Sequence, residues 1–158
     1  MDLPLSRGRF QDRDYRRAGT YFITVATYKR EQILSQIVDG HVCLTGIGMA
    51  VHKTWMNSLL IRPDMHLYMA DLVVMPDHFH GLIDIGENLY NTGDYYSIQT
   101  NQFGVQSKNL GSVVRGIKAS VTVIARKLGC HGKIWHPRYF ERQLFSAESI
   151  WIAKNYIR

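Results

Sequence analysis

The sequence predicts an α+β fold, with helices laid on one antiparallel sheet. Three observations lead there. Short β-branched and aromatic runs alternate with amphipathic helical stripes. The dipeptides Asp39-Gly40 and Pro76-Asp77 are turn signals that join neighbouring runs into hairpins. No repeat or linker divides the 158 residues, so one domain with one substantial core is expected.

The elements follow in order. Residues 1–19 form a basic arm that carries Arg7, Arg9, Arg13, Arg16 and Arg17. Thr20 to Tyr28 is β-branched and aromatic and reads as a strand. Ile37 to Thr45 reads as a hairpin about Asp39-Gly40. From Gly46 to Leu60 the residues Ile47, Val51, Trp55 and Leu59 recur every four positions, which predicts a helix stopped by Arg62-Pro63. His66–Met75 and His78–Ile85 read as two strands across a tight Pro76-Asp77 turn.

Residues 87–109 are polar, Asn- and Gln-rich and aperiodic. They predict a long loop of the kind that is functional or mobile. Leu110, Val113, Val114, Ile117, Val121, Ile124 and Leu128 then trace a helical stripe closed by Gly129. Arg115, Lys118, Arg126 and Lys127 fall off that stripe and are expected to face outward. Ile134 to Phe145 reads as an extended segment broken at Pro137, supplying the last strand. Ser146 is placed to cap a final helix, with Glu148 in its first turn and the helix still running at Arg158.

Composition narrows the class of function. Apolar residues make up 46% and charged residues 20%, which suits a globular protein, and no apolar run is long enough to cross a bilayer. The N-terminal stretch is basic and has no apolar core of a secretory signal. Cys43 and Cys130 lack metal-ligand spacing and are too few for a disulfide scaffold, so reduced thiols and a cytoplasmic location are expected. A net charge of +6 favours a polyanionic partner, nucleic acid above all.

The residues that invite chemistry are few. His78 and His80 stand at i and i+2 of a strand, so both project to one face with Cβ atoms roughly 7 Å apart. Phe79 between them points to the other face, towards the core. Such a pair is a possible two-ligand metal platform, although histidine is more often a bystander than a ligand and two surface histidines would look the same. A half-filled coordination shell leaves room for a substrate phosphate and water. Asp71, Asp77 and Asp84 are candidates to orient the pair, although Asp77 is explained as well by the turn it occupies. His41, His52, His66, His131 and His136 offer no comparable spacing. No nucleophile elbow and no phosphate-cradling glycine loop is present. Among nine tyrosines, Tyr156 is set apart by its place on the terminal helix with Lys154 and Arg158 nearby. A phenol among cations can serve as a covalent nucleophile; a helix tyrosine more commonly packs.

Four blocks taken together resemble the REP-associated tyrosine transposases, a branch of the single-tyrosine HUH transposases (HUH standing for His-hydrophobic-His). The residues that carry the resemblance are VVMPDHFHGLI at 73–83, LGSVVRGIKASVT at 110–122, IWHPRYF at 134–140 and NYI at 155–157, in the family's order. The resemblance implies a ferredoxin-like fold whose central antiparallel sheet carries the HUH strand. It implies that His78 and His80 bind Mg²⁺ or Mn²⁺ and that Tyr156 attacks a phosphate of single-stranded or hairpin DNA. A 5′-phosphotyrosine link would form, and a DNA 3′-OH would later rejoin the strand. Arg115, Lys118, Arg126 and Lys127 of the basic helix, with Arg13, Arg16 and Arg17 of the arm, are the expected DNA contacts. Two imidazoles by themselves suit Mn²⁺ or Zn²⁺ better than Mg²⁺.

Family members carry an Asn or Gln as third ligand one helical turn past the tyrosine, a position beyond Arg158, so the resemblance implies a chain that continues. Monomer and homodimer are both compatible with it. The rival expectation is a binding module that holds hairpin DNA without cutting it. A replication initiator, a relaxase or a ribonucleoprotein domain on the same fold fits less well.

Overall fold

The computed structural model describes residues 16–69, 71–92 and 108–158. Residues 1–15, with Arg13 and most of the basic arm, and residues 93–107, the bulk of the expected long loop, lie outside the described residues.

The central sheet is built on strand β1 (Gly19–Ala26) and strand β6 (His78–Ile85), paired antiparallel along their whole length. Strand β7 (Phe140–Leu144) lies on the free side of β1. The other side of β6 carries two short strands, β4 (Leu67–Tyr68) and β5 (Leu72–Val74). The resulting order, β4/β5–β6–β1–β7, is antiparallel throughout its pairings. Helix α1 (Gly46–Ile61) follows β1 and helix α2 (Leu110–Lys127) follows β6, and the two pack on each other. This is the ferredoxin-like arrangement. A separate hairpin, β2 (Ser35–Val38) and β3 (His41–Leu44), turns at Asp39-Gly40, where both residues take positive φ, 49° and 77°. That is the left-handed geometry an Asp-Gly two-residue turn is suited to.

The sheet's two faces are sorted by the period-2 alternation of its strands. Tyr21, Ile23 and Val25 of β1, with Phe79, Ile83 and Ile85 of β6, point to one face. There they bury Val51 and Trp55 of α1 and Val113, Val114, Ile117 and Val121 of α2. Gly81 is required by this packing: a Cβ at that position would collide with the Trp55 indole. The opposite face carries Phe22, Leu82 and Leu144, covered by Ala153 and Ile157 of the final helix α3 (Ala147–Ile157). The oxygen of the Ser146 side chain accepts from Ser149 N at 3.1 Å, which caps α3 where the sequence places its start.

Two expectations are corrected in detail. The strand expected over 66–75 is interrupted, because the Met69 carbonyl turns to accept the Trp55 indole N–H at 2.6 Å rather than bonding to β6. The extended stretch 134–145 is a strand only from Phe140. Before it, Trp135 forms an isolated bridge to Thr27, and Arg138 adopts φ 73°.

Candidate metal and nucleophile site

Alternation in β6 sends His78 and His80 to the α3 face and Phe79 into the main core, where Phe79 is fully buried between Trp55 and Trp135. The two imidazoles meet edge to face with centroids 4.7 Å apart. Each is held through Nδ1: His78 bonds Asp77 Oδ1 at 2.6 Å, and His80 bonds Thr24 Oγ1 at 2.7 Å. Thr24 can reach because it is the direct cross-strand partner of His80. Fixing both Nδ1 atoms leaves both Nε2 atoms for a cation, the usual way outer hydrogen bonds orient ligand histidines.

The Asp77 carboxylate is itself tied down, since its other oxygen lies 3.0 Å from Arg30 Nε. Burial alone would raise the Asp77 carboxyl, but the His78 hydrogen bond and the Arg30 charge outweigh it and hold the group below the usual carboxylate range. Burial, reinforced by neighbouring His78, pushes the His80 imidazole down to about 4. His80 is therefore neutral near pH 7, with its lone pair available.

Helix α3 brings Tyr156 over this pair. The Tyr156 ring is centred 5.4 Å from His80 and 6.3 Å from Phe22, while Phe22 stacks on His80 at 5.2 Å and 28°. Tyr156 remains 55% exposed, so its phenol is open to a substrate. Ala153 and Ile157 anchor the helix on Phe22, Leu82 and Leu144. Towards β5, Asp71 lies 4.0 Å from Lys154 Nζ and 3.9 Å from Arg158 Nε. Among the described residues no third His, Cys, Asp or Glu joins the two histidines. The donor set fits an open, two-nitrogen cation site, with phosphate or water oxygens able to complete the shell.

No family model matches the sequence. An uncharacterized protein of Haemophilus influenzae is 30% identical over 154 residues, covering 95% of this chain and 84% of its own length. The chain belongs to that protein's family. Among solved structures, a REP-associated tyrosine transposase bound to a REP hairpin aligns with a TM-score of 0.60 and 22% identity, over 97% of this chain and 70% of that one. The fold of this family member is thus the fold of the transposase branch that its motifs resemble.

The expected site residues do not all converge. His78, His80 and Tyr156 come together. Helix α2, with Arg115, Lys118, Arg126 and Lys127, lies across the sheet from them. Three of these cations are half-buried rather than facing outward. Lys118 Nζ donates to the carbonyls of His136 and Arg138 at 2.9 and 3.1 Å, and burial lowers its pKa. Arg126 donates to Cys130 and Gly132 at 2.8 and 2.6 Å. Both bind the 130–138 segment to α2, because a long cationic side chain can lie along the helix and satisfy loop carbonyls. Lys127 and Arg17 are exposed, whereas Arg16 is buried. No described helix is long and apolar enough to cross a membrane.

The sequence reading missed Phe22, Thr24 and Arg30, which hold the histidine pair and the Tyr156 ring in place. Thr20, Phe22 and Thr24 do alternate with the core residues of β1, a signal visible in the sequence. Only the register of β1 against β6 shows that this face is the histidine face.

Proposed function

We propose that this protein is a metal-dependent single-stranded DNA endonuclease and strand transferase of the REP-associated tyrosine transposase type, acting on hairpin-bearing DNA. The observation that carries the reading is the placement of the Tyr156 ring 5.4 Å from His80, on the face that His80 shares with His78. A nucleophile and a cation platform on one open face is what in-line attack on a phosphodiester requires.

The chain's own residues divide the work. The Tyr156 phenol gives up its proton to solvent as its oxygen attacks phosphorus and forms a P–O bond. The bond to the 3′ oxygen breaks, and the leaving 3′ oxygen takes up a proton. The 5′ strand end is then held as a phosphotyrosine, and a later 3′-OH attack reverses the sequence and frees the phenol. Energy is conserved in the phosphotyrosine, so rejoining requires no nucleotide triphosphate. His78 and His80 would hold Mn²⁺ or Mg²⁺ through Nε2, and the cation would withdraw charge from the non-bridging oxygens of the scissile phosphate. Asp77 and Thr24 keep the rings aimed, and Phe22 keeps His80 and Tyr156 in register beneath the strand. Exposed cations such as Lys127 and Arg17 can contact phosphates of the hairpin away from the site of attack.

The full-length protein incubated with Mn²⁺ and end-labelled hairpin DNA is expected to give cleaved product that His78→Ala and Tyr156→Phe each abolish. The second reading is a domain that binds hairpin DNA without cutting it, favoured by the small donor set, two nitrogens with no third His, Cys, Asp or Glu among the described residues. Binding with no cleavage in any divalent cation would make that the better account.

A further inference from the structure

Beside Tyr156, on the side away from His78, the α3 face is hollowed into a cleft of about 190 Å³. Its walls include Phe22, Phe140, Arg142, Ile152 and Tyr156. A cavity of about 150 Å³ already accepts a single six-membered ring. Phe22 and Phe140 come from neighbouring strands, and both their rings line the cleft. At its lip stands Arg142, the cross-strand partner of Phe22. Arg142 is exposed, and among the described residues no hydrogen bond or ion pair involves its side chain. The α2 cations Lys118 and Arg126, across the sheet, are by contrast already satisfied by loop carbonyls.

We propose that this cleft takes one unstacked nucleobase of the substrate strand, adjacent to the phosphate that Tyr156 attacks, and that Arg142 contacts its edge or its phosphate. The inference rests on the reading of the site as a single-stranded DNA nuclease and adds a positioning element to it. Three features argue for a base over other occupants. The walls are apolar and aromatic, which suits the π-face of any base. The unpaired guanidinium answers a polyanion, and it matches the acceptor edge of guanine in particular. The cleft also shares the Tyr156 ring with the proposed site of attack, so a base held there fixes the neighbouring phosphate relative to the phenol. Clamping a flanking base would convert loose strand binding into a near-attack geometry.

The test uses the full-length Tyr156→Phe protein, which holds DNA uncut, and hairpin oligonucleotides with 2-aminopurine placed at successive single-stranded positions. One position is expected to change its fluorescence sharply on binding, and an abasic substitution there should weaken binding about tenfold. Phe140→Ala, Arg142→Gln and the cleft-filling Ile152→Trp should each remove the fluorescence change and the sensitivity to the abasic site. Arg142 and Ile152 are exposed, so these two variants separate loss of the cleft from loss of the fold. Binding whose affinity and abasic sensitivity are the same in all three variants would overturn the cleft while leaving the proposed function standing. Failure of the unvaried protein to bind the DNA at all would overturn both.

Discussion

Asp77→Asn isolates the link between fold and metal chemistry. In the native protein the Asp77 carboxylate bonds His78 Nδ1 at 2.6 Å and Arg30 Nε at 3.0 Å. Its backbone carbonyl accepts from Thr27 N at 2.9 Å and Thr27 Oγ1 at 3.0 Å, and those two bonds survive the substitution. The turn should therefore stay folded. What is lost is the ion pair with Arg30 and the charge in the bond to His78, and it is the latter that keeps Nδ1–H directed at the carboxylate and the Nε2 lone pair directed at a cation. A charge-assisted bond exceeds a neutral one by about 1–1.5 kcal/mol, which is about tenfold in affinity. Outer-shell substitutions of this kind cost about 10–100-fold. Calorimetric titration with Mn²⁺ should show at least that loss, with a melting temperature within a few degrees of native. Equal Mn²⁺ affinity in Asp77→Asn and native protein, with His78→Ala inactive for binding, would refute the orienting role.

Other consequences are smaller and independent. The pKa of His80 is about 4 in the folded protein and near 6.5 when unfolded, so protonation favours the unfolded chain. Its contribution to the metal-free protein is complete above about pH 6.5. It is lost as pH falls towards 4, by roughly 2–3 kcal/mol; urea melts at pH 7 and 4.5 should show a smaller difference for His80→Phe than for native. Gly81→Ala drives a methyl group into the Trp55 indole and should cost roughly 1–3 kcal/mol in denaturant melts. A neutral result would contradict the tight α1–β6 packing. Lys118→Ala should lower the melting temperature yet leave the salt dependence of DNA binding unchanged, because its ammonium group already serves two carbonyls. Lys127→Ala should do the reverse, lowering the slope of log K against log salt by about 0.7–0.9 if it meets a phosphate.

The elements legible in sequence were those set by local chemistry. The Asp39-Gly40 turn, the Gly46–Ile61 helix with its four-residue apolar spacing, the α2 stripe and the Ser146 cap depend on neighbours a few positions away. His78 and His80 were legible because a strand's alternation fixes their shared face whatever they pair with. What escaped depends on contacts distant in sequence. The Trp55 indole captures the Met69 carbonyl from 14 residues away and breaks a strand whose composition is continuous. Lys118 and Arg126 read as outward cations on a helical wheel, but the wheel holds no record of the 130–138 backbone that they bind. Phe22 and Thr24 come to the histidine face only through the register that sets Thr24 against His80 and Phe22 against Leu82.

The central claim is that Tyr156 forms a covalent bond to DNA on the histidine face. Its most direct test is peptide mass spectrometry of the full-length protein after reaction with hairpin DNA and Mn²⁺, followed by nuclease trimming. The account predicts a nucleotide phosphate on the peptide containing Tyr156, absent when Mn²⁺ is omitted and absent in His80→Ala. Cleaved DNA with that peptide unmodified, or with the phosphate on another residue, would contradict it.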